Sequence, residues 1–274
     1  MPRIERGVMK YIVSVSFGKD SLAMLLKLLE NNMPVDEAIF FDTGMEFNCI
    51  YSIMHTVKHT LEERGIEFTR LKADKEFLNL MLDHKIQHRN GTTSCGYRWC
   101  GGNCRWYTTY KTSTIRKYLG NKYGGHTFYM EYVGIAFDET KRIERNSDKL
   151  LPLVDWHMTE RDCLEYCHSK GFYWMEGEHE LYDDLDRVSC WCCRNKNLKE
   201  LKQIYLHHKV YWLALCELER RCGMTMKKDT SLSELEQKWK LEESNKQMSF
   251  DDLLWNSHEG NDDGKENKTQ NNAR

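Results

Sequence analysis

The stretch VSVSFGKDS, residues 13–21, decides the fold of this chain. A β-branched run passes into a small polar turn that contains Gly18, and the apolar pattern LAMLLKLLE follows over residues 22–30. This order predicts a strand, a short loop and the start of a helix. Unpaired backbone N–H groups and the positive end of the helix dipole converge at such a loop, which favours an anion such as a nucleotide pyrophosphate. An ordinary capped helix after a buried strand is the alternative.

Several side chains of this loop suit an anion site. Asp20 or Ser21 would cap the helix, Gly18 would let the backbone approach the ligand closely, and Lys19 would add a mobile positive charge. We expect the ligand contacts to come from Ser14, Ser16, Phe17, Gly18, Lys19, Asp20 and Ser21.

Strand and helix patterns alternate outward from this stretch. Strand patterns lie at 11–16, 38–42, 67–71, 128–135 and 150–154, and helix patterns at 21–31, 48–64, 108–119 and 159–170. Strands separated by helices pair in parallel through right-handed crossovers. The prediction is an α/β protein with a doubly wound, Rossmann-like, mostly parallel five-stranded sheet, a cysteine-rich insertion and C-terminal helices.

The domain organisation follows from composition. We predict a nucleotide-binding domain over 1–200 with a metal-binding insertion at 92–125, helices over 201–244 and a disordered polar tail over 245–274. The net charge of −2 gives no general electrostatic argument for nucleic-acid binding. Neither a signal-peptide pattern nor a long apolar run is present, so we expect a cytoplasmic protein that does not contact a membrane.

Two further motifs fall at predicted strand ends, where parallel sheets bind ligands. DTGMEF begins at Asp42 and supplies a carboxylate, a hydroxyl and a flexible glycine at Asp42, Thr43 and Gly44. GIAFDETKRIER begins at Gly134 and places Arg142 and Arg145 on one face of a helix, where paired guanidinium groups suit phosphate or sulfate. A capped turn and a solvated run of charges are the respective alternatives.

The chain has eleven cysteines, and six of them form two clusters, SCGYRWCGGNC and SCWCC. The spacing within each cluster lets two thiolates face one ion. We predict a four-thiolate site that holds Zn²⁺ or an iron–sulfur cluster. Cys95 and Cys192 are the substitute ligands, and free thiols are the alternative; the favoured ligands are Cys100, Cys104, Cys190 and Cys193. The pair His207 and His208 is assigned to the surface or to packing.

The loop resembles the SGGxDS motif of the adenine nucleotide alpha hydrolase, or PP-loop, superfamily at five of six positions. The departure is Phe17, which stands at the usual first glycine and must avoid positive φ or accept strain. DTGMEF, GIAFDETKR and LLPLVDWHMTERDCLEYC then resemble, in order, three elements of phosphoadenosine phosphosulfate (PAPS) reductases. The similarity covers roughly residues 10–200.

The resemblance implies that the three motifs surround an adenine nucleotide, either ATP or a sulfonucleotide. Lys19, Asp20, Asp42 and Arg142 become the catalytic candidates, because cations would stabilise the leaving pyrophosphate and a carboxylate would place Mg²⁺. Ala136 stands where the family often has another arginine. Nothing after Cys193 resembles the ECGLH motif that carries the attacking cysteine of thioredoxin-dependent PAPS reductases.

The leading hypothesis is therefore an ATP pyrophosphatase that adenylylates a substrate for sulfur transfer. A sulfonucleotide reductase that releases sulfite is the alternative, and a non-catalytic nucleotide-binding subunit of a larger complex is the third reading. The expected partners are a sulfur-donor protein, a nucleic-acid or small-molecule acceptor and a second copy of the chain.

Overall fold

The computed structural model describes residues 9–99, 104–124 and 128–259, with the backbone alone at 105–106 and 246–259. Its centre is a parallel sheet of four strands in the order β3-β2-β1-β6. The strands of this sheet are β1 (Lys10–Val15), β2 (Glu37–Phe41), β3 (Glu67–Leu71) and β6 (Tyr129–Val133). Two small antiparallel pairs complete the described strands: β4 (Lys85–Gln87) with β5 (Thr93–Cys95), and β7 (Met175–Glu176) with β8 (His179–Glu180).

The predicted fold class is confirmed, but the sheet has four strands and not five. The expected strand at 150–154 is reduced to one parallel bridge between Tyr132 and Leu150. Pro152 begins a short helix instead, since proline has a fixed φ and no N–H to donate to a sheet.

Helices follow the strands as the alternating pattern predicts. They are α1 (Lys19–Glu30), α2 (Asn48–Glu63), α3 (Arg105–Tyr123), α4 (Thr140–Glu144), α5 (Pro152–Asp155), α6 (Glu160–Ser169), α7 (Leu181–Asp184), α8 (Leu198–His207), α9 (Lys209–Cys222) and α10 (Leu232–Glu259), and a π-helical turn spans Asn79–Asp83. Thr159 caps α6 in a capping box with Asp162, and Gly171 with φ +83° follows its end.

Both faces of the sheet are covered, which explains why most residues of its central strands are apolar. Val13 and Val15 of β1 belong to the large core formed with α1 and α2, whereas Ile12 packs with Ile39 and with Leu119 of α3. Burial on both faces is typical of parallel sheets with crossover helices. The carboxyl ends of β1, β2 and β6 are thereby fixed at one edge of the sheet.

The last helix extends past the predicted start of the polar tail at 245. Leu232, Leu235 and Trp239 are buried at helical spacing and anchor the first turns of α10. Because extending a helix costs less than nucleating it, the polar residues that follow can continue it to Glu259. The remainder of the predicted tail, 260–274, lies outside the described residues. Among the described helices, none is both long and apolar enough to cross a membrane.

Candidate nucleotide site and cysteine cavity

The loop after β1 turns sharply at Phe17, which adopts φ +58°. A left-handed backbone is costly for a bulky residue unless the surroundings hold it. Phe17 is fully buried, and its ring packs edge-on against Phe40 with ring centroids 5.1 Å apart. Its carbonyl accepts a hydrogen bond of 2.8 Å from the indole nitrogen of Trp174. Of the two conformations that the sequence left open, the chain takes the strained one.

The hydroxyl groups of Ser16 and Ser21 form hydrogen bonds at the start of α1. Gly18 is the N-cap residue and no side chain caps the helix, so the prediction that Asp20 or Ser21 caps it was wrong. Ser21 Oγ instead donates to the Gly18 carbonyl at 3.1 Å and accepts the Ser16 N–H at 3.1 Å. The same hydroxyl lies 3.0 Å from Ser16 Oγ. These bonds fold the loop back onto the helix N-terminus.

Lys19 is buried and held by partners, contrary to the mobile charge that we predicted. Its ammonium group lies 2.6 Å from Glu160 and 3.2 Å from Asp20. Burial would lower the pKa of Lys19, but the charges of Asp20 and Glu160 raise it above its ordinary value. The backbone N–H of Lys19 donates to the Tyr182 hydroxyl at 2.8 Å. A phosphate that bound here would have to replace these partners.

Asp20 has a carboxylate oxygen that its surroundings leave unsatisfied. Oδ1 is buried and has no hydrogen-bond partner among the described residues, although the Lys19 ammonium lies near it. Burial, with the nearby charges of Glu160 and Glu139, raises the pKa of Asp20 despite Lys19. An oxygen in this state suits a bound cation, so Asp20 fits the Mg²⁺ that the sequence implies.

The segment after β6 approaches the loop closely. A Cβ on Gly134 would lie 2.7 Å from Ser21 Cα, so only glycine fits at this position. Further along, Arg142 Nη1 lies 2.6 and 2.5 Å from the two carboxylate oxygens of Glu139. Arg145 ends α4 and is exposed. The two predicted phosphate ligands therefore have different environments.

Ser14 lies inside β1 and not in the loop. Its hydroxyl donates to Glu131 of the neighbouring strand at 2.9 Å. Glu131 in turn pairs with Lys149 at 2.5 Å. This contact supports the sheet.

Asp42 is buried after β2, and its carboxylate is fully engaged. One oxygen accepts from the Gly44 N–H and the Tyr51 hydroxyl, each at 2.8 Å. The other accepts from Arg70 at 2.6 and 3.1 Å. Burial would raise the pKa of Asp42, but these donors lower it. Asp42 orders the turn and, because its acceptor sites are occupied, fits Mg²⁺ less well than Asp20 does.

A cavity of about 270 Å³ opens beyond β2 and β3, close to the roughly 300 Å³ at which small-molecule sites begin. Its lining includes Asp42, Thr43 and Gly44 of the second motif and Lys72, Lys75 and Glu76 from the chain after β3. Lys72 lies 3.5 Å from Asp42, so the two lysines of the lining are balanced by two carboxylates. The β1 loop is not part of its lining. This position, at the carboxyl ends of parallel strands, is where such sheets hold ligands.

The cysteines meet at a second, smaller cavity. It is lined by Phe77, Met81, Arg98, Trp99, Cys104, Cys190, Cys192, Cys193, Arg194 and Asn195. Cys104, Cys190 and Cys193 of the predicted set are thus brought together, and the substitute Cys192 joins them. Cys95 is exposed in β5 and is not part of this lining. Cys100 lies outside the described residues.

The distances between the cysteine sulfur atoms can be compared with those that a bound zinc ion requires. A tetrahedral zinc ion needs its sulfur ligands about 3.8 Å apart. Among the described cysteines, no three sulfur atoms lie within 4.8 Å of one another. The described sulfur atoms would therefore have to move closer together to bind one zinc ion. Arg98 and Arg194 on the same wall would offset the negative charge of the thiolates.

The cysteine cavity touches the second nucleotide motif directly. Cys190 Sγ donates to Thr43 Oγ1 at 3.5 Å, and Thr43 Oγ1 donates to Glu46 at 2.7 Å. The Trp191 N–H donates to the Met45 carbonyl at 2.9 Å. Phe77 lines both cavities. Residues nearly 150 positions apart in the chain thus form one continuous region.

Sequence reasoning missed several residues of this region. Lys72 and Lys75 had a local signal, since they follow β3 at its carboxyl end. Lys196 is 2 % exposed beside the second cysteine cluster, and burial lowers its pKa despite the nearby cysteines and Glu200. Glu160 and Tyr182 had no local signal, because only the fold brings them to the loop.

A parallel α/β sheet with a tight β1 loop and a cavity at its carboxyl edge defines a protein of the doubly wound class, in which this edge commonly binds ligands. Residues 10–129 match the family model described as the phosphoadenosine phosphosulfate reductase domain. This match confirms the resemblance over the β1 loop and DTGMEF, and the two later motifs lie beyond its end.

Individual relatives are more distant. An uncharacterized protein of Methanocaldococcus jannaschii is 25 % identical over 229 residues, which cover 77 % of this chain. The aligned part spans only 41 % of the length of that curated relative. Among solved structures, the U34-tRNA thiolase NcsA from Methanococcus maripaludis, with its [4Fe-4S] cluster, is similar at 14 % identity and a TM-score of 0.42. That alignment covers 78 % of this chain and 72 % of the thiolase.

Proposed function

We propose that the chain is an ATP pyrophosphatase that adenylylates a substrate and prepares it for sulfur transfer. In this reaction a substrate oxygen attacks the α-phosphorus of ATP, the bond from that phosphorus to the bridging oxygen breaks, and pyrophosphate leaves. Sulfide-level sulfur from the donor then attacks the carbon that bears the adenylylated oxygen, the bond from that carbon to the oxygen breaks, and AMP leaves with the oxygen. A nucleic acid or a small molecule would be the acceptor, with a sulfur-donor protein as partner.

One observation carries the proposal: Cys190 of the cysteine cavity donates a hydrogen bond to Thr43, which lines the cavity at the ends of β2 and β3. This contact would bring sulfur chemistry next to a bound, activated substrate, and proximity of the two reactants is worth several orders of magnitude in rate. A purely structural metal site would not need to touch the nucleotide motif.

The residues divide into a phosphate side and a sulfur side. Asp20 would help to hold Mg²⁺, and Lys19 and Arg142 would stabilise charge on the leaving pyrophosphate after exchanging Glu160 and Glu139 for phosphate oxygens. Cys104, Cys190 and Cys193, with Cys100 as the predicted fourth ligand, would hold the metal group. That group supplies sulfur or electrons when bound.

Sulfonucleotide reduction is the second candidate, and the family match favours it. It would require a thiol to attack the sulfur atom of the sulfonucleotide, and no ECGLH-like motif follows Cys193. Cys167 donates to the Lys19 carbonyl in the β1 loop, and the thiol that donates to Thr43 in the second nucleotide motif is that of Cys190. Burial raises its pKa above the ordinary value, which disfavours the reactive thiolate in the absence of a bound metal.

The test uses the full chain purified without oxygen. We expect a brown protein with sulfur-to-iron absorption that releases pyrophosphate from ATP and Mg²⁺ when supplied with extracts that contain acceptor. C190S should lose most of the metal, and C95S, which removes an exposed cysteine of the other cluster, should keep it. Pyrophosphate and metal content are measured in parallel.

Three results would point elsewhere. Release of sulfite from a sulfonucleotide without pyrophosphate from ATP would favour the second candidate. Nucleotide binding with neither product would favour a non-catalytic subunit. Equal metal loss in C190S and C95S would refute the cysteine cavity as the metal site.

A further inference from the structure

A group of metal-ligating side chains lies apart from both cavities. His179 of β8, Asp184 of α7 and His207 at the end of α8 place one ligand atom each within 4.8 Å of one another. Among the described residues, this is the one group of three or more histidine, cysteine or acidic side chains that meets this distance. None of the three lines either cavity.

The two histidines are held against each other. Their rings stack with centroids 4.0 Å apart and planes 28° apart. This contact keeps the two imidazoles side by side, and imidazole nitrogen is a common zinc ligand.

The carboxylate of the group is oriented by a further residue. Asp184 Oδ2 lies 2.8 Å from Nε2 of His208, and both side chains are largely buried, at 9 % and 1 % exposure. A ligand fixed by a second residue behind it is a common feature of metal sites in proteins. The histidine pair that the sequence assigned to surface or packing thus divides into one ligand candidate, His207, and one positioning residue, His208.

We propose that His179, Asp184 and His207 bind one divalent transition-metal ion of the zinc type. Two imidazoles and a carboxylate suit Zn²⁺ and Co²⁺, and three protein ligands leave a position for water. Bonds near 2.0 Å require ligand atoms about 3.3 Å apart, so the side chains close inward around the ion. This site is independent of the proposed function, since none of its residues belongs to the nucleotide site or to the cysteine cavity.

The ion would connect three elements, β8, α7 and α8. His179 and Asp184 lie on either side of Tyr182, whose hydroxyl accepts the N–H of Lys19 in the β1 loop. His207 lies on α8. Binding therefore ties the segment that covers the loop to α8 and should raise the melting temperature of the chain.

Cobalt titration of the full chain tests the site, because Co²⁺ reports its ligands in the visible spectrum. We expect one saturable Co²⁺ with ligand-field bands and no sulfur charge transfer, distinct from cobalt bound to the cysteines. H207A and H179A should each weaken this binding at least tenfold, and H208Q should weaken it roughly tenfold through the orientation of Asp184. H59A is the matched control, since His59 is 76 % exposed on α2.

The exposed position of His207 keeps the test informative if H179A does not fold. Without metal, H207A should melt at the temperature of the parent chain, and only the parent should gain stability on adding Co²⁺. The proposal is refuted if H207A retains the cobalt spectrum and the stabilisation, or if H59A loses them equally. Activity is not needed for any of these readouts.

Discussion

Two buried carboxylates at opposite ends of β2 show how one residue type serves two purposes. Asp42 follows the strand and orders the turn that lines the cavity beyond β2 and β3. Glu37 begins the strand, is fully buried, and is bonded by Tyr118, Tyr123 and Lys122 of α3 and by Thr69. Each carboxylate is satisfied by several donors, as buried charges must be. Only the first lies at the ligand edge of the sheet.

Replacing these carboxylates by amides separates stability from function. Burial alone would raise both pKa values, but hydrogen bonds lower them, from Gly44 and Arg70 to Asp42 and from Thr69 and Tyr118 to Glu37. A lowered carboxyl pKa adds stability above the unfolded value, near pH 4, that is lost as pH falls through the folded value. We expect D42N and E37Q each to lower the free energy of unfolding by about 1–3 kcal/mol at pH 7, and by less at pH 3.

Urea unfolding at pH 7 and pH 3 measures this difference. Of the two variants, only D42N should also impair nucleotide binding, because only Asp42 orders a wall of the cavity. An E37Q variant that loses nucleotide binding as severely as D42N would contradict the division of roles.

At the scale of elements, β6 and α1 meet where Gly134 lies against Ser21. The approach places the segment after β6 beside the loop after β1, at the point where the strand order reverses. No side chain can be added there without moving the backbone of the loop. The contact explains why the third motif begins with a glycine.

The variant G134A tests this packing, with G120A as its matched control. The added Cβ in G134A must displace Ser21, so we expect a loss of roughly 1–3 kcal/mol in unfolding free energy and a clear loss of ATP affinity. Gly120 lies within α3 and an added Cβ would meet nothing within 4 Å, so G120A should stabilise by up to about 1 kcal/mol. Urea unfolding and calorimetric ATP titration measure both. Unchanged ATP binding in G134A would show that the loop is not the phosphate site.

The local sequence pattern predicted most helices and strands, but not the residues at which they end or the residues that they contact. The strands before Phe17, Asp42 and Gly134 were predicted because apolar runs and turn residues are local signals. The fifth strand failed because Pro152 weighs against an otherwise apolar run. The prediction that Lys19 is a mobile charge was wrong for a different reason: its partner Glu160 is 141 positions away, and no periodicity encodes that distance.

At the scale of the whole molecule, the β1 loop is covered by chain that follows the sheet. Glu160 of α6 binds the Lys19 ammonium, Trp174 binds the Phe17 carbonyl, and Tyr182 of α7 takes the Lys19 N–H. The loop and its cover are therefore one structural unit, although the family match ends at residue 129. A fragment that stopped there would lack the Trp174 bond to the strained Phe17 and would leave Lys19 with Asp20 as its remaining partner, so we expect the second half of the chain to stabilise the loop.

The Tyr182 hydroxyl would compete with an ATP phosphate for the Lys19 N–H, and the variant Y182F measures this competition. Removing the Tyr182 hydroxyl frees the Lys19 N–H at a cost of about 1 kcal/mol in stability, the usual value of one hydrogen bond. If ATP phosphates occupy that N–H, the variant should bind ATP roughly fivefold more tightly, since the same free energy no longer opposes binding. Y166F is the control, because the Tyr166 hydroxyl bonds to Glu30 at the far end of α1. Calorimetric titration with ATP and Mg²⁺ gives both affinities. Weaker binding in Y182F would mean that the hydroxyl contacts the nucleotide itself. Equal binding in both variants would mean that the phosphates lie elsewhere, in the cavity beyond β2 and β3.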